Sequence, residues 1–249
     1  MSALTDRFDA VCERLSKAID SAGRNRDEVK LVAVSKNHPA EAVAELARHW
    51  HAAGAPVFGE SYVQEALPKQ DAIGLPSCGI PVKWHFVGHI QSRKAKDIAG
   101  RFSLIHSVDS LKLATALQKA WLQTVAGAPV ALDAPDPQPH DMLVQVNVGR
   151  EEQKSGVMTE ELEELLTGIL AMPELRVTGL MCLPPIQEIG EHSRPYFTML
   201  RELRDSMQAR LGIMLPELSM GMSDDFETAI EEGATLVRIG TDIFGPRQY

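Results

Sequence analysis

Eight short β-rich runs, separated by stretches of helical spacing, constrain this 249-residue chain more than any other feature. The runs fall at 30–35, 56–59, 84–88, 103–108, 142–148, 176–181, 217–220 and 235–239. The first is a compact apolar run, as expected of a strand buried on both faces of a parallel sheet. Helical patterns lie between the runs, most clearly at 109–125, 159–171, 191–211 and 224–232. Strand–helix alternation implies parallel pairing with right-handed crossovers, and eight units in about 250 residues suit a closed barrel better than an open doubly wound sheet. Ahead of the first run, Leu4, Phe8, Val11, Leu15 and Ile19 form a stripe with helical spacing. The expected fold is therefore α/β: one domain over 1–249, a single (β/α)8 TIM-type barrel with an extra N-terminal helix. The segment 126–140 carries four prolines and reads as an exposed loop.

Composition narrows the partners. The hydrophobic share of 44% is ample for a core, and the net charge of −9 argues against a nucleic-acid surface. Arg93, Lys94 and Lys96 share one predicted helix and read as a solvated face. Cys12, Cys78 and Cys182 lie far apart without CxxC spacing, which argues against a disulfide scaffold or a cysteine zinc site and suits a reducing cytoplasm. The N-terminal stretch alternates charged and apolar residues, unlike a signal or transit peptide, and no apolar stretch approaches the ~18 residues of a membrane span. A cytoplasmic monomer is expected, since no large apolar helix face is left unassigned.

In such a barrel the chemistry lies at the carboxyl ends of the strands. Lys36 follows the first run, and Ser219, Met220, Gly221, Met222 and Ser223 follow the seventh. Arg238 ends the eighth, before Gly240 and Thr241, and barrel closure brings these loops together. Loops seven and eight commonly hold a phosphate. Gly221 and Gly240 allow close backbone approach, while Ser219 and Thr241 can donate hydroxyl hydrogen bonds. Small residues also fill ordinary turns, and Ser223 would serve as N-cap of the 224–232 helix. A lysine ending a strand is usually solvated; desolvated beside Arg238 it would be a nucleophilic amine. That amine beside a phosphate cradle allows two chemistries: a Schiff base with a sugar phosphate, as in a class I aldolase, or one with pyridoxal phosphate. Asn147 is a candidate mouth residue, Glu60 could hold Lys36 or a cofactor hydroxyl, and His85 and His106 read as satisfied barrel histidines more than metal ligands.

The motifs LVAVSK ending at Lys36, FGESYVQE from Phe58, WHFVGHIQS from Trp84, VQVN ending at Asn147, KSG from Lys154, GLM ending at Met181, LSMGMS ending at Ser223 and VRIGTDIFG ending at Gly245 occur in this order. Together they make the chain resemble the pyridoxal phosphate homeostasis proteins, single-domain relatives of the alanine racemase barrel. The resemblance implies a pyridoxal 5′-phosphate aldimine on Lys36, with Arg238 facing the pyridine nitrogen. It implies phosphate contacts from Ser219, Gly240 and Thr241, and a lining of Met220, Gly221 and Met222. Two departures stand out: Ser61 and Arg93 occupy positions where the family usually has Asn, so position 61 offers no amide to the cofactor. Racemases of the related fold take a second base from an added β domain and a partner subunit, whereas four residues follow Gly245 here. The expectation is cofactor binding and delivery to pyridoxal-phosphate-dependent apo-enzymes, with no nucleic acid and no membrane. The alternatives are a weak amino-acid racemase or a Schiff-base aldolase.

Overall fold

In a computed structural model the chain is described over residues 2–51, 54–73, 80–127, 138–151 and 153–246. The strands are β1 (Lys30–Val34), β2 (Val57–Glu60), β3 (Lys83–Phe86), β4 (Leu104–Val108), β5 (His140–Val146), β6 (Leu175–Cys182), β7 (Glu217–Ser219) and β8 (Leu236–Ile239). They pair in chain order, all parallel, and close with Lys30 opposite Leu236 and Val32 opposite Arg238. The expected barrel is the observed one.

Side-chain alternation sorts each strand between two environments. Val32, Leu104, Leu143, Met181 and Leu236 meet inside the barrel. Leu31, Ala33, Phe58, Phe86, Ile105, Val144, Leu180, Leu218 and Val237 point outward into the larger apolar layer shared with the helices. Those helices are α1 (Ala3–Ser21), α2 (Ala40–His51), α3 (Val63–Ile73), α4 (Ala95–Ile98), α5 (Leu111–Ala126), α6 (Leu162–Leu170), α7 (Arg194–Leu211), α8 (Phe226–Glu231) and α9 (Thr241–Phe244).

The N-terminal stripe folds as expected into α1, which packs on α8 and α9 over the β8–β1 seam. Arg7 donates to the Ile243 and Phe244 carbonyls at 2.8 and 3.2 Å, satisfying the end of α9. Arg14 pairs with Glu227 and Asp242 and lies 4.7 Å from the Phe226 ring centre. The extra helix thus fixes the two short helices that follow β7 and β8.

Several boundaries differ from the sequence reading. The helix expected over 224–232 begins at Phe226, and its N-cap is Asp225, not Ser223. The Asp225 carboxylate accepts the Met222 N–H at 2.6 Å and the Ser193 hydroxyl at 2.8 Å, spending residues 222–225 on a turn. Helix α7 starts at Arg194 after a 3-10 turn, because Pro195 is best accommodated in a first helical turn. Arg93 and Lys94 lie on a 3-10 turn and only Lys96 on α4, so the basic cluster does not share one helix. Most of the proline-rich segment 126–140, along with Cys78, lies outside the described residues.

Candidate functional site

Lys36 leaves the end of β1 half-buried, on a backbone held from both sides. The preceding Ser35 donates its hydroxyl to Glu60 Oε1 at 2.6 Å, while its carbonyl accepts from Lys69 Nζ at 2.8 Å. Lys69 also donates to Glu60 Oε1 at 2.8 Å. The following residue, Asn37, sits at φ 63° and donates its N–H to Glu65 Oε2 at 2.8 Å. Glu60 and Lys69 form a buried ion pair, 0% and 7% exposed. Burial pushes the Glu60 carboxyl above its ordinary range, partly opposed by the Lys69 and Ser35 contacts. Glu60 Oε2 is enclosed without a hydrogen-bond partner among the described residues. Glu60, considered as a partner for Lys36 or a cofactor, therefore anchors the loop that carries Lys36.

Beyond Lys36 opens a cavity of about 520 Å³ lined also by Ser61, Tyr62, Gly88, His89 and Arg93. Both departures from the family pattern, Ser61 and Arg93, thus face the same space. Gly88 is required there, since a Cβ would meet the Ser61 carbonyl at 2.2 Å.

On the other side stands Arg238, 5% exposed. It donates from Nη1 to Ser219 Oγ, and from Nη2 to the Cys182 carbonyl at 2.9 Å. Among the described residues no carboxylate lies within ion-pair distance of it. Burial pulls the guanidinium below its ordinary pKa, with Cys182 and Asp225 opposing. It remains a cation able only to donate.

Gly240 follows β8 at the strand β1 edge, where a Cβ would stand 3.1 Å from the Val34 carbonyl. Thr241 is exposed at the start of α9, and stacking of His38 on Phe244, ring centres 4.9 Å apart, joins the loops after β1 and β8. Gly221 has φ 88°, and a Cβ there would meet Ala229 Cβ at 2.6 Å, so only glycine fits this turn. Met222 is 40% exposed beside it.

The structure therefore brings Lys36, Gly221, Met222, Arg238, Gly240 and Thr241 to one end of the barrel. The side chains of the other three expected residues make contacts within the protein. Ser219 turns inward, its hydroxyl between Arg238 and His106. Met220 packs fully buried in the outer apolar layer, because the residue after an inward one faces outward. The Asn147 amide holds the Glu151 backbone, donating at 2.9 Å and accepting at 3.2 Å. Lys69 escaped the sequence reading, although it occupies the buried face of α3 with Val63, Ala66, Gln70 and Ile73.

A closed parallel barrel with a lysine after its first strand and a buried arginine within its last defines a class, and the family model described as alanine racemase, N-terminal domain, matches residues 8–248. Within that class the chain belongs to the pyridoxal phosphate homeostasis protein family. It is 44% identical to the pyridoxal phosphate homeostasis protein of Aquifex aeolicus over 98% of each chain. It is 43% identical to that of Pseudomonas aeruginosa, over all of this chain and 98% of the relative. Among solved structures, PipY of Synechococcus elongatus with PLP bound superposes with a TM-score of 0.76 at 30% identity, covering 97% of this chain and 100% of PipY.

Proposed function

We propose that this chain binds pyridoxal phosphate at the carboxyl end of its barrel, attached covalently through Lys36, and carries it in vitamin B6 homeostasis without significant turnover. The observation that carries this reading is Arg238, a buried cation whose two acceptors among the described residues are both neutral. An unpaired charge in such a place is costly, and a ligand acceptor facing it recovers part of that cost. The remaining donors also fit the group: the Thr241 hydroxyl and the backbone at Gly240 and Gly221 suit a phosphate, and Lys36 supplies an amine.

When bound, pyridoxal phosphate supplies an aldehyde that condenses with an amine and a pyridine ring that withdraws electrons. Arg238, always charged and donor-only, leaves an acceptor nitrogen facing it unprotonated, which weakens that withdrawal. Ser219 acts through Arg238, and Asn147 shapes the loop at Glu151. Apo-enzymes that need the cofactor are the receivers in this reading, and the chain acts in the cytoplasm as a monomer. Replacing Thr241 with Val tests the phosphate grip. Affinity for pyridoxal phosphate should fall about tenfold or more, as expected for a lost hydrogen bond to a charged group, while affinity for pyridoxal stays within about twofold. Equal losses for the two ligands would contradict the assignment.

A further inference from the structure

Four polar side chains cross the interior of the barrel in single file. Arg238 on β8 donates to Ser219 Oγ on β7, and that oxygen lies 2.8 Å from His106 Nδ1 on β4. His106 Nε2 lies 3.0 Å from His85 Nδ1 on β3. Ser219 and His106 are fully enclosed. His85 lines a cavity of about 320 Å³ at the opposite, N-terminal face, beside Lys30, Lys83, Asp141 and Glu217.

The direction of the hydrogen bonds follows from their first member. An arginine can only donate, so Ser219 Oγ accepts from it. The serine hydroxyl proton has one acceptor among the described residues, His106 Nδ1, and a buried hydroxyl left without one is penalised. His106 therefore carries its proton on Nε2 and donates to His85 Nδ1, which leaves the His85 proton on Nε2. Burial, more than the neighbouring His85 and Arg238, holds the His106 imidazole far below its ordinary pKa. Burial, with Lys83 and Lys30 adding to it, pushes His85 down to about 3. Both rings are thus neutral with one proton each, and every dipole in the file turns its negative end toward the guanidinium. This arrangement stabilises a buried cation without a carboxylate.

We propose that His106, backed by His85, is a positioning residue for Arg238: it fixes the Ser219 hydroxyl so that its lone pair faces the guanidinium, which is thereby aimed at the ligand. The inference rests on the pyridoxal phosphate reading, in which that target is the pyridine nitrogen. Without His106 the hydroxyl rotates freely and Arg238 loses a fixed acceptor. A merely structural role would affect every ligand equally, whereas an aiming role concerns only ligands with a ring nitrogen.

The test measures dissociation constants of the full chain for pyridoxal phosphate and for its 1-deaza analogue, in which carbon replaces the ring nitrogen. The original protein should prefer pyridoxal phosphate by about tenfold or more. His106→Leu should cut that preference to about threefold or less while changing affinity for the deaza analogue by less than about threefold. His106→Gln, which can accept with its oxygen and donate with its amide, should restore most of the preference. If His106→Leu does not fold, Ser219→Ala is held to the same expectation. A folded His106→Leu or Ser219→Ala protein that keeps the full preference, or loses both ligands alike, overturns the proposal. A tenfold preference in the original protein alongside either result leaves the assignment of Arg238 standing. Absence of any preference in the original protein removes that assignment and the proposal with it.

Discussion

Lysine is seldom fully buried, and Lys69 is tolerated because Glu60 and the Ser35 carbonyl accept its protons, with the Glu65 carboxylate 3.7 Å away as a second counter-charge. Replacing Lys69 with Met would leave the Glu60 carboxylate enclosed without its counter-charge, at a cost of about 3–5 kcal/mol. The native Glu60 pKa, already raised by burial, would rise further. A raised native pKa means the folded state binds the proton first, so the deficit should shrink as pH falls from 8 toward 5. Urea denaturation of both proteins across that range checks this; a deficit that is constant or grows on acidification contradicts it. Lys69 was hard to read because Glu65 four residues before it makes the pair look like a solvated helix face. The positions of Lys36, Arg238, Gly240 and Thr241 at the carboxyl end of the barrel are legible because each stands at or just after a β-rich run. For Ser219 and Met220 the sequence places the strand end, but side-chain direction depends on strand parity, which a one-residue difference in that end inverts.

At the scale of elements, all eight strands were legible from buried, β-rich runs, and the least legible parts were turns built by long-range polar contacts. The start of α8 depends on Asp225 reaching Met222 N–H and on Ser193, 32 residues away, donating to the same carboxylate. No local pattern encodes that second contact. The β7–α8 turn also depends on Gly221, whose φ and closeness to Ala229 both exclude a side chain. Gly221→Ala should cost about 2–4 kcal/mol, from a left-handed conformation and an overpacked contact together. Chemical denaturation reads this directly; a change below about 0.5 kcal/mol would show that the turn relaxes freely.

Over the whole molecule the barrel keeps its chemistry at one end and its apolar volume in two layers, with α1 bracing the loops after β7 and β8. The carboxylates nearest the mouth are already engaged: Glu60 with Lys69 and Ser35, Asp225 with Met222 and Ser193. On the proposed reading the site holds a cofactor without turning it over. The loaded protein incubated with alanine should therefore racemise or deaminate it far more slowly than about 1 per second, an ordinary enzymic rate. Turnover at that rate or faster, followed by chiral chromatography and pyridoxamine phosphate formation, would make the protein an enzyme.

The central claim is that Lys36 carries the cofactor. Borohydride reduction of the protein loaded with pyridoxal phosphate, followed by intact-mass and peptide analysis, tests it most directly. The account predicts a single pyridoxyl-phosphate adduct on the peptide containing Lys36, and its loss in Lys36→Ala. An adduct found only on another lysine, or one that persists undiminished in Lys36→Ala, would contradict it.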